Sequence, residues 1–170
     1  MQIGVRFGMG LAVWLSIAAS PALAQSATAP APAADFGTGA AACTVALAPA
    51  KLDEAALKNS GWAASSTRSI ATVYQREGVG VRLFLSTMIA PSGQCVVDGY
   101  ATADDQFAAI RDAIRAALAE KYGAPPMMPA QAVPNGQGFV VDNNLVLILS
   151  ADKRPAGLSI RITCMRFPKN

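Results

Sequence analysis

The chain of 170 residues contains no histidine. That absence removes Ser-His-Asp and Cys-His catalysis, histidine-ligated zinc and imidazole-based pH sensing. Cysteine is nearly as scarce. Cys43, Cys95 and Cys164 form no C-x-x-C motif, which leaves neither a structural zinc site nor a thioredoxin-like redox pair. No G-x-x-x-x-G-K-[ST] or G-x-G-x-x-G stretch is present, and Gly78-Val79-Gly80 reads as a hairpin turn. These residues nominate no cofactor.

Charge is sparse too. Charged residues make up 15% of the chain, with 14 Lys and Arg against 11 Asp and Glu, for a net charge of +3. The basic residues are scattered, so the pI near 8.9 reflects few charges rather than a basic patch. Neither nucleic acid nor an anionic membrane surface is implied as a partner. After the first two dozen residues, no apolar run approaches the roughly 18 residues of a membrane span.

Those first residues read as an export signal. Arg6 supplies a positive start, Leu11–Ile17 an apolar core, and Ala22-Leu23-Ala24 a small-residue cleavage pattern. Residues 1–24 are therefore expected to be removed, leaving a chain that begins at Gln25 with a charge of +2. No cysteine follows the cut directly, which argues against a lipid-anchored product. The expected location is periplasmic or secreted. Residues 25–42, rich in Ala and Pro and otherwise mostly small, are expected to form a flexible tether. Residues 43–170 are expected to form a single α+β domain, long enough to bury its own core.

Thr102–Gly123 carries the clearest helical signal. Phe107, Ile110, Ile114 and Leu118 recur at steps of three and four, and so share one face. Thr102, Asp104 and Asp105 suit the helix start, while Gly123 and Pro125–Pro126 end it. A shorter helix is expected from Pro49 to Gly61, followed by Trp62 as a core plug. Strands are expected at 43–47, 71–77, 81–86, 94–101, 138–142, 145–150 and 158–164, with Ser65–Ser69 as a polar connection. The loop at 124–137 carries Met127 and Met128, read as hydrophobic filling.

The two halves echo each other. Arg82–Ser86 parallels Val146–Ser150, and the strands from Cys95 and Leu158 each follow a Pro-x-Gly turn. The expected fold is an antiparallel sheet with two helices packed on one face, built as a duplicated unit of one helix and three strands.

In an exported chain, three cysteines predict one disulfide and one free thiol. Strand directions favour Cys43–Cys95 over Cys43–Cys164, and the bridge is expected to stabilise by about 3–4 kcal/mol. Cys164 shares its face with Ile160 and Ile162 and is expected to be a buried small hydrophobe.

With no catalytic constellation evident, a non-catalytic binding, adaptor or inhibitor-like role in a bacterial-type cell envelope is favoured. Its partner would be another envelope protein or a small ligand. Arg76, Arg82, Phe84, Tyr100 and Arg161 are expected to populate the uncovered sheet face, since Arg and aromatic residues are common at interfaces. The alternative is a small envelope hydrolase using carboxylates, chiefly Asp98 and Asp142, with Asp152 as a third candidate. It requires two of these to meet in one cleft.

Overall fold

The computed structural model describes residues 29–49, 52–68, 70–86, 93–102, 106–125, 127–128 and 136–167. The expected signal segment, its cleavage point, Asp104, Asp105 and Pro126 lie outside these. Ten elements follow in order: α1 (Ala33–Leu47), α2 (Glu54–Asn59), β1 (Ala63–Arg68), β2 (Ala71–Gln75), β3 (Arg82–Ser86), β4 (Gln94–Ala101), α3 (Gln106–Tyr122), β5 (Gly136–Asp142), β6 (Leu145–Arg154) and β7 (Gly157–Arg166). The strands form one antiparallel sheet in the order β1-β2-β3-β4-β7-β6-β5. This is an α+β fold.

Alternation writes the sheet's two faces. Cys95, Val97 and Ala101 of β4 point to the same side as Leu158, Ile160, Ile162 and Cys164 of β7 and Leu145, Leu147 and Leu149 of β6. All of these are buried, in one core with Leu83, Phe139, Ile110, Ile114 and Leu118. Both strand-rich halves therefore share a single hydrophobic layer.

The largest correction concerns the start of the described chain. A tether through Ala42 and a strand at 43–47 were expected, yet residues 33–47 form a buried helix. Its Phe36, Ala40, Cys43, Ala46 and Leu47 are fully enclosed. Small residues do not weaken this helix; they allow its close approach. A Cβ on Gly37 would lie 2.7 Å from the Ala113 carbonyl oxygen of α3, and one on Gly39 would lie 2.7 Å from Val97 Cγ1 of β4. Alanine also has the highest helix propensity. What reads by composition as too light to order is packed directly against the α3 backbone on one side and the Val97 side chain on the other.

α1 lies across β4 and β7 at the middle of the sheet, and α3 packs mainly along α1, reaching the sheet at β5. Two helices do cover one face, but the pair is α1 and α3. The helix expected from Pro49 shrinks to the six-residue α2, capped by Asp53, whose Oδ1 accepts the Ala56 N–H at 3.1 Å. α3 ends as the sequence predicts, at Gly123 with φ +72°, a conformation that favours glycine. At its start the Gln106 side chain accepts the Thr102 N–H at 3.1 Å.

The second correction is β1. Its AASSTR sequence, read in part as a polar connection, forms an edge strand with a bulge between Ala64 and Ser66. Small polar residues carry little strand signal, and pairing to β2 supplies what propensity lacks. A bulge also discourages edge-to-edge association.

Cys43 and Cys95 are bridged with their Cα atoms 5.5 Å apart, tying α1 to the middle of the sheet. The expected pairing holds, although Cys43 reaches it from a helix rather than a strand. Cys164 is free, buried, and directly opposite Cys95 across the β4–β7 ladder. Burial pushes its thiol pKa up, which keeps it protonated and unreactive.

Candidate functional site

Among the described residues, no helix crosses the second face of the sheet. At its centre β4 presents Gln94, Val96, Asp98 and Tyr100, flanked by Arg82 and Phe84 of β3 and by Arg161 and Thr163 of β7. Asp98 sits between two guanidinium groups, its Oδ2 3.4 Å from Arg82 Nη2 and its Oδ1 3.9 Å from Arg161 Nη2. The Arg82 guanidinium also stands 5.7 Å from the centroid of the Phe84 ring, in cation–π range. Strand register sets all of this. Arg82 pairs with Asp98, and Asp98 with Arg161, so the three lie in one cross-strand row.

Beside that row lies a groove of about 450 Å³. Phe84, Val96, Ala71 and Thr163 line it, Ser86 and Gln94 stand at one end, and Asp98 and Arg161 at the other. Ile70 also lines it and is 58% exposed, a large apolar side chain left in water. Among the described residues, four buried side-chain polar atoms lack a hydrogen-bond partner: Trp62 Nε1, Arg82 Nε, Tyr100 Oη and Tyr122 Oη. Two of the four belong to residues the sequence reading placed on this face. An unpaired buried donor costs free energy, which makes these atoms informative.

Of the residues expected on the open face, Phe84 and Arg161 line the groove, and Arg82 stands beside it against Asp98 and the Phe84 ring. Tyr100 faces the same side but lies outside it, near the turn at Gly157, where an added Cβ would stand 3.1 Å from Tyr100 Oη. Arg76 goes elsewhere. It follows the end of β2 and lines a recess of about 620 Å³ on the helix side, with Trp62, Ala41 and Glu120. Trp62 itself is 1% exposed, as a core plug should be.

Sequence reasoning missed Ile70, Val96 and Thr163. Val96 was legible, because it alternates with Asp98 on one face. Ile70 was not, since a single apolar residue between two polar stretches has no period.

The carboxylates expected for hydrolysis do not meet. Asp98 is held in the central row. Asp142, at the end of β5, pairs with Arg166 Nη2 at 3.1 Å. Arg166 lies five residues along β7 from Arg161, about 17 Å at the rise of a strand. Partial burial by itself would raise the Asp142 pKa. The Asn144 N–H at 2.7 Å and the Arg166 charge outweigh it and hold the pKa below the usual carboxylate value. Arg166 Nε donates in turn to the Leu47 carbonyl, so Asp142 helps to anchor the end of α1. Asp152 sits exposed on β6, opposite Ser159.

The fold is therefore an α+β protein whose seven-stranded sheet, among the described residues, has helices on one face only. No family model, curated protein or solved structure matches the chain. No helix of the described residues is long and apolar enough to cross a membrane. Among the same residues, no group of three or more Cys, Asp or Glu side chains is arranged to hold a metal ion.

Proposed function

We propose that this chain is an exported, non-catalytic binding domain of a bacterial-type cell envelope, an adaptor or inhibitor-like protein acting through its uncovered sheet face. The single observation that carries this reading is the groove at the centre of that face, where exposed Ile70 and part-buried Phe84 and Val96 share one trough with Asp98 and Arg161 of the charged row. Soluble proteins seldom leave such apolar surface beside under-paired charge without a use for it. A Cys43–Cys95 bridge suits an oxidising compartment, and the leader-like residues 1–24 suit export. The same reading takes the chain as a duplicated helix-plus-three-strand unit. The meanders β2–β3–β4 and β5–β6–β7 meet at β4–β7, in support, although α2 and α3 differ greatly in length.

A photo-crosslinking amino acid at Val96, compared with one at exposed Ala116 on α3, tests the choice of face. The reading expects a discrete adduct in envelope extract from position 96, suppressed when Arg161→Glu is added, and none from position 116. Equal labelling from both positions would remove the argument for this face.

A further inference from the structure

We propose that the groove on the uncovered face takes a small amphipathic anion, a carboxylate on an unbranched aliphatic chain. Arg161 receives the head, with the Arg82 charge beside it across Asp98, and Phe84, Val96 and Ile70 receive the chain. This inference rests on the reading of that face as the binding surface and names its ligand.

The charge balance gives the head its sign. Two guanidinium groups share one carboxylate, through single contacts of 3.4 Å and 3.9 Å. Each guanidinium carries five N–H donors in a fixed fork suited to carboxylate oxygens, so most of the donors in the row are uncommitted. Arg82 Nε is shielded from water and has no partner, which marks the row as incompletely satisfied. The row carries one net positive charge. Asp98 opposes an incoming anion and limits its affinity, while the 61% exposed Arg161 side chain is free to swing its outer donors toward one.

The remainder of the groove gives the tail. From Asp98 to Gln94 is four residues along β4, about 14 Å at strand rise. The surface beside that length is Val96, Phe84 and Ala71, and Ile70 also lines it. The volume of about 450 Å³ lies within the roughly 300–1,000 Å³ usual for small-ligand sites. A charged row at one end and an apolar trough leading away match one head and one chain. A polyanion would meet only one net charge, and a wholly apolar ligand would leave the guanidinium donors unused.

Titration of the purified protein with decanoate, decanol and acetate, followed by amide NMR, tests this. Decanoate is expected to shift the amides of Phe84, Val96 and Thr163. Decanol, with the same chain and no charge, should bind about tenfold more weakly, the loss of one charge-assisted hydrogen bond near solvent. Acetate should not saturate. Arg161→Ala should weaken decanoate about tenfold while leaving decanol unchanged, and Arg161→Lys should restore part of the loss. Arg161 is exposed and outside the core, and the dispersion of the unbound spectrum checks that the variant is folded.

Equal binding of decanoate and decanol would overturn the anionic head. Shifts confined to the recess around Trp62 and Arg76 would overturn the site. If neither decanoate nor decanol binds, the ligand class is overturned. In that last case the crosslink from Val96 decides separately whether the face binds a macromolecule, so failure of the ligand and failure of the face are distinguishable.

Discussion

The two faces of the sheet are made by the same strands, residue by alternating residue, and they end in opposite physical states. On the face beneath α1 and α3, Val97, Ile160, Ile162 and Leu147 are wholly removed from water; there Trp62 Nε1 and Tyr122 Oη lack a partner, while Tyr74 is satisfied. Its hydroxyl donates to Glu54 Oε2 at 2.5 Å. On the other face Phe84 and Val96 are only part-buried, Ile70 is exposed, and Arg82 and Tyr100 each hold an unpaired polar atom. The face that folds the chain excludes water from its apolar side chains. A face retained for contact keeps donors and apolar surface that the fold itself does not use.

The strongest way to break this comparison is to cut the covered face loose. Cys43→Ser removes the bridge that holds α1 on β4 and opens a loop of 52 residues. A loss of about 4 kcal/mol is expected in the loop-entropy picture, read as a lower urea midpoint. A loss below about 1 kcal/mol would mean that packing alone seats α1.

A pair of neighbours then contrasts the faces directly. Ile160→Ala, on the covered side, should cost about 2–5 kcal/mol, as large-to-small core changes do. Arg161→Ala, one residue on and facing out, should stay within about 0.5 kcal/mol. Comparable costs would mean that the outer row is structural and would weaken its assignment to binding.

The smallest expected difference lies in two tyrosines. Burial first, and then the Glu54 hydrogen bond and charge, raise the Tyr74 pKa from its ordinary value of 10.0 to about 12. The folded state favours the neutral phenol, so this stabilisation is complete below pH 10 and disappears as pH rises from 10 to 12. Tyr74→Phe should cost about 1 kcal/mol at neutral pH and flatten the alkaline decline. Tyr100→Phe removes a hydroxyl with no partner and should be neutral or slightly stabilising. Chemical denaturation from pH 7 to pH 12 reads both.

Much of the fold was legible where periodicity was strong. β4 was read at its observed bounds, and the apolar residues of α3 at 110, 114 and 118 are fully buried. Arg82, Phe84 and Arg161 could be assigned together because a period of two fixes which side chains share a face. Tyr100 shares that face but stands apart from the groove, because alternation says nothing about position along the strand. Arg76 was misplaced because alternation ends with the strand. The Cys43–Cys95 pairing was anticipated on a mistaken picture of Cys43, since distance constrains a disulfide more than the element that delivers it.

The covering helix shows where sequence reading stops. Residues 33–47 resemble a linker in composition, and their order comes from Gly37 against Ala113 and Gly39 against Val97, contacts between segments far apart in the chain. By themselves, the amino acids determined the alternation of the strands, the amphipathic stripe of α3 and the absence of histidine chemistry, all of which are local or compositional. Which helix would cover the sheet, which face would remain open, and that Arg82, Asp98 and Arg161 would stand in one row beside an apolar trough were decided only by tertiary structure. Strand order and close helix approach are cooperative properties of distant segments, and no window of neighbouring residues contains them.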